Sequence, residues 1–421
     1  MPTLRYSDVF VPGGFPRHTY NPRLELNLEE QVRQVTENLC KLVTVTGHTK
    51  SGKTVLVRSI LPREDHIWVD GGGIGEEDDF WVTIIEQLDL FQNAEVTEEK
   101  GAEVDISASG TAGANIAVAK GEGTLGASYS KSHGSSSKKS RAVSSRVSAL
   151  KGLRSANRSL IIDDFHYLSL NLQGDLIRAL KPLIFDGLPA AIIAIPHRRY
   201  DTVKVEREMT GRILQVTIPP WSQEELKFIP NHGFPLLHGT ISQELSERLA
   251  EESIGSPHLM QEFCRAICRA HGVTTSFNGR SADLENDALE DLFRDAAETI
   301  GRPIFEKLAR GPRQRTDRIP RRLKSGIEVD IYGLILYALA NIRPGLVTLE
   351  YEDLRSAIRS VSAQEIPQLH EVARVLKHMS YIAATDQSST PVIDFDEDEK
   401  LLHITDPFFA FYLRWGNLEA S

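Results

Sequence analysis

The 421-residue chain has only three cysteines, Cys40, Cys264 and Cys268. The last two stand at i, i+4 in a helical pattern with no second Cys/His pair beside them, so the sequence offers neither a disulfide framework nor a zinc site, and a reducing compartment is expected. No stretch approaches the roughly 20 apolar residues needed to span a bilayer, and the opening "MPTLRYSDVFVPGG" lacks the basic start and apolar core of a secretory signal. A cytoplasmic protein with no membrane partner is therefore expected. Positive charge is not in excess either. Against 48 Lys and Arg there are 58 Asp and Glu, and the formal net charge of -10 excludes a chain that coats nucleic acid over its whole surface while leaving room for a local basic patch. At this length two or three domains are expected, each with its own core.

What is present is more specific. Residues 47 to 54 read GHTKSGKT, a full match to G-x-x-x-x-G-K-S/T, placed directly after the apolar run Leu42 to Thr46 and before a helical pattern. A glycine-bounded loop at a helix N-terminus lets successive backbone N–H groups turn inward and cradle phosphate oxygens. The expected nucleotide-binding set is Gly47, His48, Thr49, Lys50, Ser51, Gly52, Lys53, Thr54 and Val55. Lys53 would reach the β- and γ-phosphates, and the Thr54 hydroxyl would ligate Mg²⁺.

The stretch "SLIIDDFHYLSL" from residue 159 ends an apolar run in two adjacent aspartates. Like charges repel and carboxylates are costly to desolvate, so a cation is expected beside them. This has the form of a Walker B strand, in which Asp163 holds the Mg²⁺ shell and Asp164 orients or deprotonates the attacking water. Further strands are predicted at 66–70, 190–195 and 213–218, with helices over "EDDFWVTIIEQLDLF" and near 172–186. Alternation of this kind predicts an α/β fold with a parallel sheet. After the strand at 190–195, "PHRRYD" puts Arg198 and Arg199 near the carboxyl edge of the sheet, where either could sense a γ-phosphate or form a solvated basic turn.

Taken together, these parts resemble the STAND and AAA+ group of P-loop ATPases, including the archaeal-type ATPases. The resemblance rests on GHTKSGKT, LIIDDF, the arginines after the 190–195 strand, and "ESIGSPHLMQEFCRAI" at 252–267. In the last, Gly255-Ser256-Pro257 looks like the Gly-x-Pro motif of a lid helix that packs near adenine, although Ser256 as N-cap and Pro257 at N1 explain the same residues locally. His258 falls where a second sensor residue would lie, but is expected to be exposed. The stretches 329–342, 348–358, 366–382 and 401–416 look like a winged-helix domain, ending in "DPFFAFYLRW". The organisation implied is an arm at 1–35, an ATPase core at 36–222, a helical lid at 223–300, a basic hinge at 301–326 and a winged helix at 327–421.

Three features lie outside a minimal ATPase. In the arm, Tyr20 and Arg23 are possible adenine contacts, or the arm simply covers the sheet. The Gly/Ser-rich segment 101–141 reads either as a flexible linker or as a projecting β-insertion used for oligomerisation. Between 310 and 324, Arg310, Arg313, Arg315, Arg318, Arg321, Arg322 and Lys324 crowd together with only Asp317 opposing in the sequence. This is either a basic hinge or a DNA contact. The resemblance implies ATP and ADP as ligands with Mg²⁺, a homo-oligomer, and a nucleotide-controlled switch acting on a protein partner or a separately encoded effector; hydrolysis is expected to be slow, because Asp164 is one methylene shorter than the Glu usual in AAA+ enzymes. The competing class is a DNA-handling AAA+ ATPase similar to origin-recognition or transposition ATPases.

Overall fold

The computed structural model describes residues 3–37, 40–90, 144–195, 209, 211–312, 319–346, 348–384 and 391–418. The expected 101–141 insertion, Arg198 and Arg199, and residues 313–318 of the basic stretch lie outside them. In chain order the elements are α1 (Tyr6–Val9), α2 (Leu28–Arg33), β1 (Leu42–Gly47), α3 (Lys53–Ile60), β2 (Ile67–Asp70), α4 (Glu77–Gln87) and α5 (Ser145–Ser155). There follow β3 (Leu160–Asp163), α6 (Leu170–Phe185), β4 (Ala190–Ala194), β5 (Ile213–Ile218), α7 (Gln223–Leu236), α8 (Gln243–Glu252), α9 (Pro257–Ala270), α10 (Asn286–Ile300) and α11 (Arg302–Arg310). The chain continues with β6 (Arg321–Arg322), β7 (Glu328–Val329), α12 (Ile331–Ile342), β8 (Thr348–Glu350), α13 (Tyr351–Val361), α14 (Leu369–Ala384), β9 (Ile393–Asp396), β10 (Leu401–Ile404) and α15 (Pro407–Trp415).

Strands β1 to β5 form one sheet in the order β2-β3-β4-β1-β5. β3 runs parallel to β2 and to β4, with Ile162 opposite Val69 on one side and Ile192 on the other. All four residues of β3 are buried. That is why it reads as an unbroken apolar run rather than an alternating one, as a parallel strand covered on both faces must. β4 stands between the strand that feeds the 47–54 loop and the strand that ends at Asp163. The fold is the α/β fold of P-loop NTPases, a parallel five-stranded sheet with flanking helices.

The chain forms two compact units. One comprises residues 32–44 and 61–215. In it Phe80, Trp81 and Ile84 of α4, Leu153 of α5 and Leu176, Ile177 and Leu180 of α6 bury against the apolar residues of β2, β3 and β4. The other comprises residues 1–31, 45–60 and 216–421. Five of its helices start where the sequence supplies an acceptor for otherwise unpaired N–H groups: Ser222 caps α7, Ser242 caps α8, Ser256 caps α9, Asp330 caps α12 and Asp406 caps α15. Phe263 of α9, Phe293 of α10 and Phe411 and Trp415 of α15 interlock, with ring centroids 5.0 to 6.1 Å apart. Toward the chain end, α12, β8, α13, α14, β9, β10 and α15 follow in order, and β8-β10-β9 make an antiparallel sheet with Leu402 opposite Leu349 and Phe395. No helix among the described residues is long and apolar enough to cross a membrane.

Candidate functional site

The 47–54 loop is shaped by two glycines with different jobs. A Cβ at Gly47 would stand 2.9 Å from the Ile218 carbonyl and 3.1 Å from Ser51 Oγ, so the close approach of the backbone requires glycine there. At Gly52 an added Cβ would meet nothing within 4 Å, but φ is +88°, a conformation that disfavours any side chain. Lys50 is also left-handed, at φ +58°. Such turns point consecutive N–H groups into one concavity. Lys53, buried at the first position of α3, donates from Nζ to the carbonyls of His48 at 2.7 Å and Gly47 at 3.1 Å. Thr54 and Val55 follow in the first turn, half-buried.

Ser51 Oγ is buried and makes no hydrogen bond. Unpaired buried hydroxyls are costly, and one within this glycine-bounded loop fits a loop built to receive oxygen atoms. Desolvation, and then the Lys53 ammonium, lower the His48 imidazole below its ordinary pKa.

β3 delivers the two acids. Asp163 is 4 % exposed, and its Oδ1 accepts the Asp164 N–H at 2.9 Å, which fixes the carboxylate's direction. Asp164 is left-handed, at φ +51° and ψ +38°. Asp and Asn tolerate that region better than other side chains, because a short polar group can bond locally. The conformation favours Asp at this position. Gly71, just after β2, is held against this turn: a Cβ there would stand 2.5 Å from the Asp164 carbonyl oxygen and 3.1 Å from that of Asp163. The glycine run 71–73 was the available sequence signal for this support.

In the arm and the 257–270 helix the structure gives Tyr20, Arg23 and His258 protein partners. Arg23 is 6 % exposed and spends its guanidinium on protein partners. Nε and Nη2 donate to the two carboxylate oxygens of Glu225 at 2.8 and 2.9 Å, Nη1 and Nη2 to the Pro219 and Pro220 carbonyls, and the plane lies over the Trp221 ring. Burial pushes the Glu225 carboxyl up, but Arg23 and the Ser222 N–H outweigh that and hold it below the usual range. Tyr20 similarly donates to Glu29 and lies 3.2 Å from Ser59 Oγ. Both are struts of the arm. His258, expected exposed, packs edge-on to Phe408 at 4.9 Å between centroids and lies against Gly13. Pro257 opens α9, Ser256 Oγ accepts the Leu259 N–H, and Gly255 turns the chain at φ +69°.

The basic stretch has acidic company both on its own helix and from farther along the chain. Arg310 pairs with Glu306 at 3.1 Å, Arg321 lies 3.8 Å from Glu371, and Lys324 donates to the Arg359 carbonyl. Cys264 and Cys268 are core residues whose thiols burial pushes up, the second to about 12. Trp221 escaped the sequence reading. Its Nε1 donates to the Ser51 carbonyl at 2.9 Å, bracing the loop from the residues after β5. A tryptophan directly after two prolines, in a chain with only four, was the signal available.

No family model matches the chain. No curated protein matches it significantly. Among solved structures it is similar to a Walker-type ATPase of Pyrococcus abyssi, at 17 % identity, with 98 % of each chain covered and a TM-score of 0.50. It is also similar to Cdc6p of Pyrobaculum aerophilum, at 13 % identity over 96 % of each chain and a TM-score of 0.42. A third is the Orc1 protein of Aeropyrum pernix in complex with DNA, at 11 % identity, covering 96 % of this chain and 94 % of that one with a TM-score of 0.43. At these identities the likeness is one of fold.

Proposed function

We propose that the chain is an ATP-binding, slowly hydrolysing ATPase of the STAND/AAA+ type, whose nucleotide state controls oligomerisation or the binding of a protein partner. The observation that carries this reading is the 47–54 loop itself. It combines a full motif match, left-handed turns at Lys50 and Gly52, a lysine held at the helix start and an orphaned buried serine hydroxyl. The residues fit a nucleotide with Mg²⁺: the loop N–H groups and Lys53 would take the phosphates, Thr54 and Asp163 the metal, and Asp164 would orient the attacking water. Bound Mg-ATP supplies the γ-phosphoryl group and its charge neutralisation. Pro257, Arg198 and Arg199 belong to the proposal as lid and sensor positions. Slow turnover follows from Asp164, whose carboxylate is one methylene short of the usual Glu. A turnover comparable to a motor ATPase would refute that part.

The switch reading is supported by where the loop's neighbours come from. Residues 45–60 share a compact unit with the arm and with everything after residue 216, and the loop touches both Trp221 and Phe408. The elements from α12 to α15 would then act as a winged-helix lever. Two observations weigh against duplex DNA as its ligand. The acidic run Asp396, Glu397, Asp398 and Glu399 at the β9–β10 turn is opposed by Lys400 and by Lys377, which pairs with Glu397 at 2.7 Å, and the excess negative charge repels phosphates. Arg310 and Arg321 already face Glu306 and Glu371.

The test is mass photometry of wild type and Lys53→Ala with ADP, with a non-hydrolysable ATP analogue, and with duplex DNA at low and moderate salt. Assembly or partner capture by the triphosphate form alone, lost in Lys53→Ala, is the expected result. Assembly only on DNA, fading as salt rises, would replace the proposal with a DNA-handling ATPase.

A further inference from the structure

Lys50 is a variable position of the loop motif, yet its side chain has a definite place. Its ammonium lies 5.5 Å from the centroid of the Phe408 ring, at the start of α15. The same ring is met edge-on by His258 from the start of α9, at an interplanar angle of 75°. Two residues before Phe408, Asp406 caps α15 by accepting the N–H groups of Phe408 at 2.8 Å and Phe409 at 2.9 Å. Burial raises the Asp406 carboxyl above its usual range, opposed by those N–H groups and by the positive charge of Lys50. All of these residues belong to one compact unit. A cation of the loop thus sits on the first turn of the helix that closes the chain.

An exposed lysine over an aromatic face contributes little to stability by itself. Its position makes it responsive, because a polyphosphate bound in the loop would bring several negative charges within a few residues of the ammonium, and those charges compete directly with the ring and the Asp406 carboxylate. We propose that Lys50 is a charge-operated latch between the phosphate loop and α15: without polyphosphate it holds the Asp406–Phe408 turn, and with polyphosphate it turns to the ligand and loosens that turn. This rests on the nucleotide-binding reading above, and gives the switch a named first contact.

The test is hydrogen-exchange mass spectrometry of the full chain, apo, with Mg-ADP and with a non-hydrolysable Mg-ATP analogue, read over residues 407–415. It is run on wild type, Lys50→Met, Lys50→Arg and Phe408→Leu, with binding of a fluorescent nucleotide analogue measured in parallel. In wild type the triphosphate analogue should speed exchange in α15 by about two- to fivefold, the range an exposed cation–π contact supports. Lys50→Met and Phe408→Leu should show the faster exchange already without nucleotide and respond no further, while Lys50→Arg behaves as wild type. Wild-type protection retained by Lys50→Met without nucleotide would overturn the latch. So would α15 exchange in wild type that ignores a nucleotide shown to be bound. Failure of wild type to bind the analogue at all would instead overturn the nucleotide reading, and the latch with it.

Discussion

Protonation of His258 offers a quantitative check on how the region around the phosphate loop is built. In an unfolded chain a histidine titrates near 6.5, but here burial, and then the charge of Lys50, lower His258 to about 4, with Glu262 pulling weakly the other way. Because the folded value is the lower of the two, the neutral ring contributes its full stabilisation above pH 6.5, and that stabilisation is lost as pH falls from 6.5 towards 4. Applying the linkage relation, a drop from about pH 7.5 to about pH 5 costs ~2 kcal/mol through this one ring, with a ceiling of ~3 kcal/mol below pH 4. These are upper figures, because part of the ring meets solvent, which screens it. The assay is denaturant unfolding of wild type and His258→Gln at both pH values. His48 and His66, also lowered, are common to both proteins and cancel in the difference of differences. The variant should lose about 1 to 2 kcal/mol less stability than wild type on acidification. Lys50→Met should shrink the wild-type loss, since removing a nearby cation lets His258 titrate higher. Equal acid sensitivity in wild type and His258→Gln would refute the reasoning.

Replacing Arg23 by Met should destabilise the fold by about 2 to 4 kcal/mol in denaturant titration, because Glu225, whose side chain is 24 % exposed, is left without its cation. A fall in nucleotide affinity with stability intact would instead return Arg23 to the base-binding role. Gly71→Ala drives a Cβ to within 2.5 Å of the Asp164 carbonyl and should cost about 1 to 3 kcal/mol while weakening Mg²⁺-dependent nucleotide binding. Affinity measured with Mg²⁺ should fall more than affinity measured in a chelator; equal effects would show that the glycine supports only packing. Trp221→Phe removes one hydrogen bond to the Ser51 carbonyl and should weaken ATP-analogue binding about fivefold by calorimetry, in line with ~1 kcal/mol for such a bond. Unchanged affinity would mean that the brace does not act on the loop.

The parts of the site legible in the sequence were contiguous. GHTKSGKT and LIIDDF each carry their strand, turn and chemistry within a dozen residues, so local pattern was enough to place β1, α3 and β3. Long-range partners left no local trace. Nothing near Arg23 points to Glu225, 202 residues away, and the basic composition of 310–324 says nothing of Glu371, which lies 3.8 Å from Arg321. His258 was misjudged for the same reason. A lone histidine at a helix start looks exposed until Phe408 and Gly13 are brought to it by the fold. Backbone conformation was equally invisible. The left-handed turn at Asp164 gives Asp a local advantage at that position, yet sequence alone made it only a shorter Glu.

The two ends of α15 are held by interactions of different kind, and this sets which end can respond to nucleotide. At its C-terminal end Trp415 Nε1 donates to Glu252 at 2.8 Å and Arg414 Nη1 at 3.3 Å, with Arg248 at 3.3 Å and Arg343 at 3.9 Å around the same carboxylate. The Glu252 side chain is only 2 % exposed, so this hub is shielded from salt, and its carboxylate is shared among three arginines and the indole. At the N-terminal end the cation is an exposed lysine, screened by solvent and free to choose between a ring and a phosphate. Charge arriving in the loop can therefore compete for Lys50 but has little leverage on Glu252. Motion triggered by a polyphosphate would start at Pro407 and swing about Trp415, so the Asp406–Phe408 turn would open while the helix stays fastened to α8.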